Sequence, residues 1–184
     1  MEILDVVDEN NNNLTGKTED REIIHEKGLW HREVAAWIMN KKGEVLLQKR
    51  AATKKQNPNK WGLTAGHIDS GEKIEDVMHR EALEELGVNI KDFSLLEVIK
   101  VKDEHLNNGS KNNHFVYIFF TKVDYNLKDY TIQKEELSEL KYITLEELEE
   151  IVNHKDDNYT FSKRDYMKQI LEYLYKRRNE ILNQ

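Results

Sequence analysis

Gly66-His-Ile-Asp-Ser-Gly-Glu72-Lys-Ile-Glu-Asp-Val-Met-His-Arg80-Glu81-Ala-Leu-Glu84-Glu85-Leu-Gly87-Val88 strings acids along a helix at positions where an apolar stripe should continue. On a period of 3.6 residues Ile74, Val77 and Met78 form an inward stripe, and the next turns are expected to place Glu81, Glu84 and Glu85 on the same side. Burying one unpaired carboxylate costs several kcal/mol, and three close together also repel. A fold that keeps them there needs a cation, and an all-oxygen ligand set suits a hard divalent ion: magnesium, with manganese as the alternative. The competing reading is a solvated acidic face, the usual fate of acid runs on helices. It accounts neither for the single Arg80 among these acids nor for a glycine at each end.

Asp69, with Glu72 three residues on, is expected to cap this helix, and Gly87 to supply its left-handed exit. The segment before it is basic: Lys49, Arg50, Lys54, Lys55 and Lys60 fall where no acid stands between Glu44 and Asp69. Arg50, Lys54 and Lys55 are therefore candidates for holding phosphates, against the alternative of a solvated loop. Further upstream, Ile3 to Val7 reads as a strand ended by an asparagine-rich loop. Glu33 to Met39 and Glu44 to Arg50 read as a hairpin about Asn40-Lys-Lys-Gly43. Downstream, Ser94 to Lys102 and His114 to Thr121 form a second antiparallel pair about Asn107-Asn-Gly109. Thr144-x-x-Glu147 opens a helix through Val152, and Ser162-x-x-Asp165 another through about Ile181, with Tyr166, Ile170, Leu171 and Leu174 at helical spacing. Helices covering a mixed sheet make this an α/β chain.

The 184 residues, 38% of them hydrophobic, suit one domain over 1–184, and no repeat or linker suggests a second. No apolar run approaches the ~18 residues of a membrane span and no charged-then-apolar leader opens the chain, so a cytoplasmic protein without membrane partners is expected. The absence of cysteine excludes disulfides, thiolate metal sites and a cysteine nucleophile. A net charge of -7 argues against nucleic acid as a partner and leaves room for a local basic pocket.

Gly66, Glu72, Arg80, Glu81, Ala82, Glu84, Glu85, Gly87 and Val88 match the Nudix box, G-x5-E-x7-R-E-U-x-E-E-x-G-U, at every defined position. The resemblance, over 66–88, implies a Nudix fold with a mixed sheet sandwiched between helices (α/β/α) and magnesium-dependent hydrolysis of a small-molecule diphosphate, nucleoside-linked or related. By the same resemblance Glu81, Glu84 and Glu85 bind metal, Gly66 belongs to the metal site, and Glu72 supports it. Glu84 and Glu85 serve catalysis, and Arg80 orients a carboxylate without touching substrate. Glu136, in Gln133-Lys-Glu-Glu136-Leu-Ser-Glu139, is the late-loop candidate for general base. Its alternative is a solvated acid. A homodimer is compatible with the family.

Gly43-Glu-Val-Leu-Leu-Gln-Lys-Arg50-Ala51, Lys54-Lys55, Pro58, Trp61 and Gly66-His67 also look like the Nudix-fold isopentenyl diphosphate isomerases and their hydrolase relatives. Isomerase-like chemistry is thus the alternative function. In the isomerases a cysteine precedes the Gly-His pair, and here Ala65 stands there, with no group to move a proton. The intact Arg80-Glu81-Ala-Leu-Glu84-Glu85 favours hydrolysis. His25, His31 and His67 resemble three histidine metal ligands of the isomerases, but Asn112-Asn-His114-Phe-Val-Tyr117 offers no match for the two carboxylates that complete that site, so none is assigned to metal here.

Overall fold

Residues 33–39 alternate in which side chains they hide, and the fold is built on that alternation. In the computed structural model, which describes residues 2–103 and 111–183, they lie in a central strand, β3 (His31–Met39). Ala35, Trp37 and Met39 enter one core while Val34, Ala36 and Ile38 enter another on the opposite face, as a period of two requires. Before β3, β1 (Ile3–Val7) and β2 (Asn13–Asp20) form a separate antiparallel ribbon, followed by α1 (Arg21–Lys27). Asp20 caps α1 by accepting from the Glu22 backbone N–H at 2.8 Å. The sequence analysis assigns no element between the asparagine-rich loop and Glu33. β2 is exposed for most of its length and shows no apolar alternation, and α1 has only 7 residues.

The main sheet runs β5 (Trp61–Gly62), β4 (Val45–Arg50), β3, β8 (Asn112–Lys122) and β7 (Ser94–Asp103), with β6 (Thr64–His67) also on β3 and β9 (Leu137–Ile143) also on β4. β7 and β8 pair antiparallel as expected, while the turn expected at 107–109 lies outside the described residues. The hairpin expected from β3 and β4 is present at its turn, where the two are antiparallel, and is corrected in its extent. The two meet only at Met39↔Val45 and then diverge; β3 pairs in parallel with β8 along its whole length and antiparallel with β6, and β4 takes β9 and β5. The segment 61–67 is strung across the gap between them.

One face of the sheet is covered by α2 (Ile74–Leu86), whose Val77, Met78, Ala82 and Leu86 join the even-numbered β3 residues. The other is covered by α3 (Leu145–Asn153) and α4 (Met167–Leu182), through Leu145, Leu148, Ile170 and Leu174. The architecture is the expected α/β/α sandwich. Thr144 and Glu147 make the expected capping box of α3. The start expected for α4 at Ser162 is corrected: Tyr166 is the N-cap, and Ser162 Oγ is spent on the carbonyls of Asp156 and Tyr159 in the preceding loop.

Candidate active site

Two acids of α2 face the core. Glu81 and Glu85 are buried with the apolar stripe, which continues past them at Ala82 and Leu86. Glu84 is the correction here: it lies on the flank, its side chain 53% exposed. Burial pushes Glu81 up to about 7 and Glu85 up to about 8, with Arg80 opposing the shift at Glu81 and a Gln48 hydrogen bond opposing it at Glu85.

Arg80 organises the cluster. Its Nε and Nη2 donate to the two oxygens of Glu72 at 2.8 and 3.0 Å, Nη1 to Glu81 Oε1 at 2.7 Å and Glu84 Oε2 at 3.2 Å, and Nη2 also to the His67 carbonyl at 3.1 Å. These bonds occupy the fork of the guanidinium and raise its pKa further, chiefly through Glu72, whose own pKa the same bond lowers. Because Glu72 is claimed by Arg80, it reaches only the Asp69 N–H, at 3.3 Å. The expected Asp69–Glu72 cap is therefore a turn ahead of the helix, and Lys73 is its N-cap with no side-chain bond. Gly66 lets β6 approach α2: a Cβ there would sit 2.0 Å from Glu81 Oε1. At the other end Gly87, at φ 67°, turns the chain out as expected.

The cluster lines a cleft of ≈ 410 Å³ that opens where β3 and β4 separate. Arg50 and Lys54 line it too, and Lys54 Nζ is ion-paired to Glu136, which lines the same cleft. Glu136 is placed by a turn hung on the end of α2, where the Gln133 N–H donates to the Glu85 carbonyl at 3.1 Å and the Glu136 N–H to the Gln133 carbonyl at 2.9 Å. Burial lowers the Arg50 pKa, with Glu85 and Glu136 opposing. Lys55 is not brought to the cleft: it is 86% exposed and pairs with Glu22 at 3.0 Å. Ala65 is on the cleft wall, opposite Ala35 in the register of β6 on β3.

At the N-terminal side of the cleft His25, His31 and His67 converge, and Glu33 joins them; one ligand atom from each lies within 4.8 Å of the others. The carboxylate that the β8 segment does not offer thus comes from β3, two residues after His31. Sequence reading missed it because Glu33 sits inside an apolar strand with nothing to mark the histidines as its neighbours. Burial pushes His25 down to about 4 and His67 to about 3. Burial pushes Glu33 up, but His114, the His31 hydrogen bond and His67 more than offset it and hold the carboxyl well below its usual range. The neutral form that burial favours at His25 and His67 is the one that metal ligation needs. Among the described residues, the buried His25 Nε2 and His67 Nε2 have no hydrogen-bond partner, His67 Nε2 lying 3.4 Å from Glu33 Oε1.

Residues 29–165 match the family model described as NUDIX domain, which covers most of the chain and all of the cleft-lining part of α2. The chain belongs to the Nudix family. It is 34% identical over 160 residues to an uncharacterized Nudix hydrolase of Clostridium acetobutylicum, covering 85% of this chain and 76% of that one. It is also 33% identical over 163 residues to an isopentenyl-diphosphate Delta-isomerase of Photorhabdus laumondii, covering 86% of each. A crystallographically solved protein of Deinococcus radiodurans shares the fold with a TM-score of 0.70 at 20% identity, over 95% of this chain and 99% of that one. Family and relatives make the chain a Nudix-type pyrophosphohydrolase.

Proposed function

We propose that this Nudix enzyme hydrolyses the diphosphate linkage of a nucleoside-diphosphate-type or related metabolite, with water attacking phosphorus and magnesium as the cofactor. The observation that carries the proposal is the burial of Glu81 and Glu85 side by side at the cleft, both pushed toward the protonated state by the lack of a charge partner equal to their burial. Such a pair fits a hard divalent ion: oxygen donors on one helical face, with a glycine opposite so that no side chain fills the space. When bound, that ion supplies charge neutralisation for the phosphates and lowers the pKa of water. Glu81, Glu85 and the more exposed Glu84 would hold it. Arg80, with its donors engaged by acids and a carbonyl, acts by fixing Glu81 and Glu72 and not by touching substrate. Arg50 and Lys54, which line the same cleft, would take the phosphates. Glu136 on the late loop, or else Glu84 in the box, would accept the proton of the attacking water.

A substrate screen of nucleotide sugars, dinucleotides, nucleoside triphosphates and isoprenoid diphosphates tests this, run with magnesium and with chelator in isotopically labelled water. We expect metal-dependent turnover with label in a phosphate product, and a loss of at least ~10²-fold in Glu85→Gln, since deleting a metal-ligand charge removes several kcal/mol of transition-state stabilisation. Near-normal turnover in that variant would refute the assignment. The convergence of His25, His31, His67 and Glu33 favours a second reading, isomerase-like chemistry on an isoprenoid diphosphate. Ala65 opposes it, and product analysis with isopentenyl diphosphate separates the two: interconversion without hydrolysis would overturn the first reading.

A further inference from the structure

The two buried acids of the box are held in different ways. Glu81 is gripped by the charged fork of Arg80, whereas Glu85 is met by a neutral amide: Gln48 Nε2 donates to Glu85 Oε2 at 2.8 Å. Gln48 lies on β4 and is 3% exposed, on the face that carries α2, where the neighbouring alternate position is Leu46. A buried glutamine in such a strand must satisfy both ends of its amide. Glu85 accepts and cannot donate when ionised, so the NH₂ must face it. The carbonyl end then faces β6, where Thr64 Oγ1, also 3% exposed, donates to Gln48 Oε1 at 3.1 Å. The chain Thr64–Gln48–Glu85 thus runs from β6 through β4 to α2, and an ionised Glu85 sets the donor direction of both links.

We infer that Gln48, fixed by Thr64, is the positioning residue for Glu85, aiming its carboxylate at the cation without cancelling its charge. This rests on the proposed metal site. An arginine or lysine at position 48 would also orient the carboxylate but would compete with the metal for its charge; an aliphatic residue would leave it free to rotate and a buried acceptor unpaired. Groups that orient a metal ligand in this way contribute about 10–100-fold to metal affinity.

The experiment is a double-mutant cycle read by calorimetric titration with manganese ion alone, without substrate, on the full chain. Gln48→Leu should weaken binding by about 10–100-fold in the wild-type background and by less than about twofold in Glu85→Gln, because the ligand it aims is already gone. Thr64→Val should weaken binding in the same sense, and Thr64→Ser, which keeps the hydroxyl, should restore it. Should Gln48→Leu fail to fold, the Thr64 pair decides. Equal losses in both backgrounds, wild-type affinity in Gln48→Leu, or equal affinity in Thr64→Val and Thr64→Ser would overturn the inference and leave the metal site standing. Wild-type affinity in Glu85→Gln would overturn the metal site and this inference together.

Discussion

At the scale of single residues, the buried acids carry a pH signature. The folded state raises Glu81 to about 7 and Glu85 to about 8 from an ordinary value of 4.5, so it favours their protonated forms. The stability they contribute is complete below the unfolded pKa and is lost as pH rises through the folded values. In chelator, the melting temperature of the wild type minus that of Glu85→Gln should fall between about pH 5 and about pH 9, a difference from which the opposing contributions of His25 and His67 cancel. A wild-type-minus-mutant difference that stays constant across that range would count against the burial of a titrating Glu85. The basic loop makes a second prediction, because its two lysines part company: Lys54 lines the cleft and Lys55 does not. Lys54→Ala should raise KM by about tenfold, the worth of one charge-assisted hydrogen bond, while Lys55→Ala leaves it unchanged. Steady-state kinetics at two ionic strengths checks this, and equal effects of the two would reject it. From sequence the lysines were indistinguishable, since a loop shows no period by which to tell its sides apart.

At the scale of elements, α2 was legible because its apolar residues recur at helical spacing and Gly87 marks its end. Which acids faced inward was less so. Glu81 and Glu85 follow Val77 and Met78 on the stripe, but Glu84 falls just outside it, and a one-residue difference in angle decided between burial and solvent. β5, β6 and β9 escaped because they are short or half-exposed, and nothing within two residues of Trp61 reveals pairing with Lys49. The exit of α2 is a place to test how elements are joined. At Gly87 the backbone is left-handed, and an added Cβ would sit 2.7 Å from the Thr131 carbonyl oxygen. Gly87→Ala should therefore cost upwards of ~1 kcal/mol, lowering the melting temperature by at least ~2–4 °C. Because the Thr131 N–H donates to Leu86 and the Gln133 N–H to Glu85, the same change should shift Glu136 and lower kcat. A variant as stable and active as wild type would show that the turn is not strained by a side chain.

At the scale of the whole molecule, the α/β/α plan was legible from two kinds of period, whereas the order of strands was not, because periodicity reports which face is buried and not which edge is neighbour. The fold brings acids from one helix and basic residues from the end of β4 and the loop after it around one cleft, so ligand binding and global stability are linked. Saturating magnesium at ~100 times its Kd should add about 2.7 kcal/mol and raise the melting temperature by several degrees, and Glu85→Gln should shrink that response. No shift in the wild type at any concentration would contradict the proposed site. The central pairing has a further consequence, for time and not for energy. β3 lies parallel to β8, His31 against His114 through Met39 against Lys122, so the middle of the sheet closes only after a long loop has been ordered. Such non-local closure makes folding slow, and interactions completed after the rate-limiting step act on the reverse reaction. The Gln48–Glu85 contact joins β4 to the helix that covers its face of the sheet, and metal held there should leave the refolding rate nearly unchanged while prolonging the lifetime of the native state.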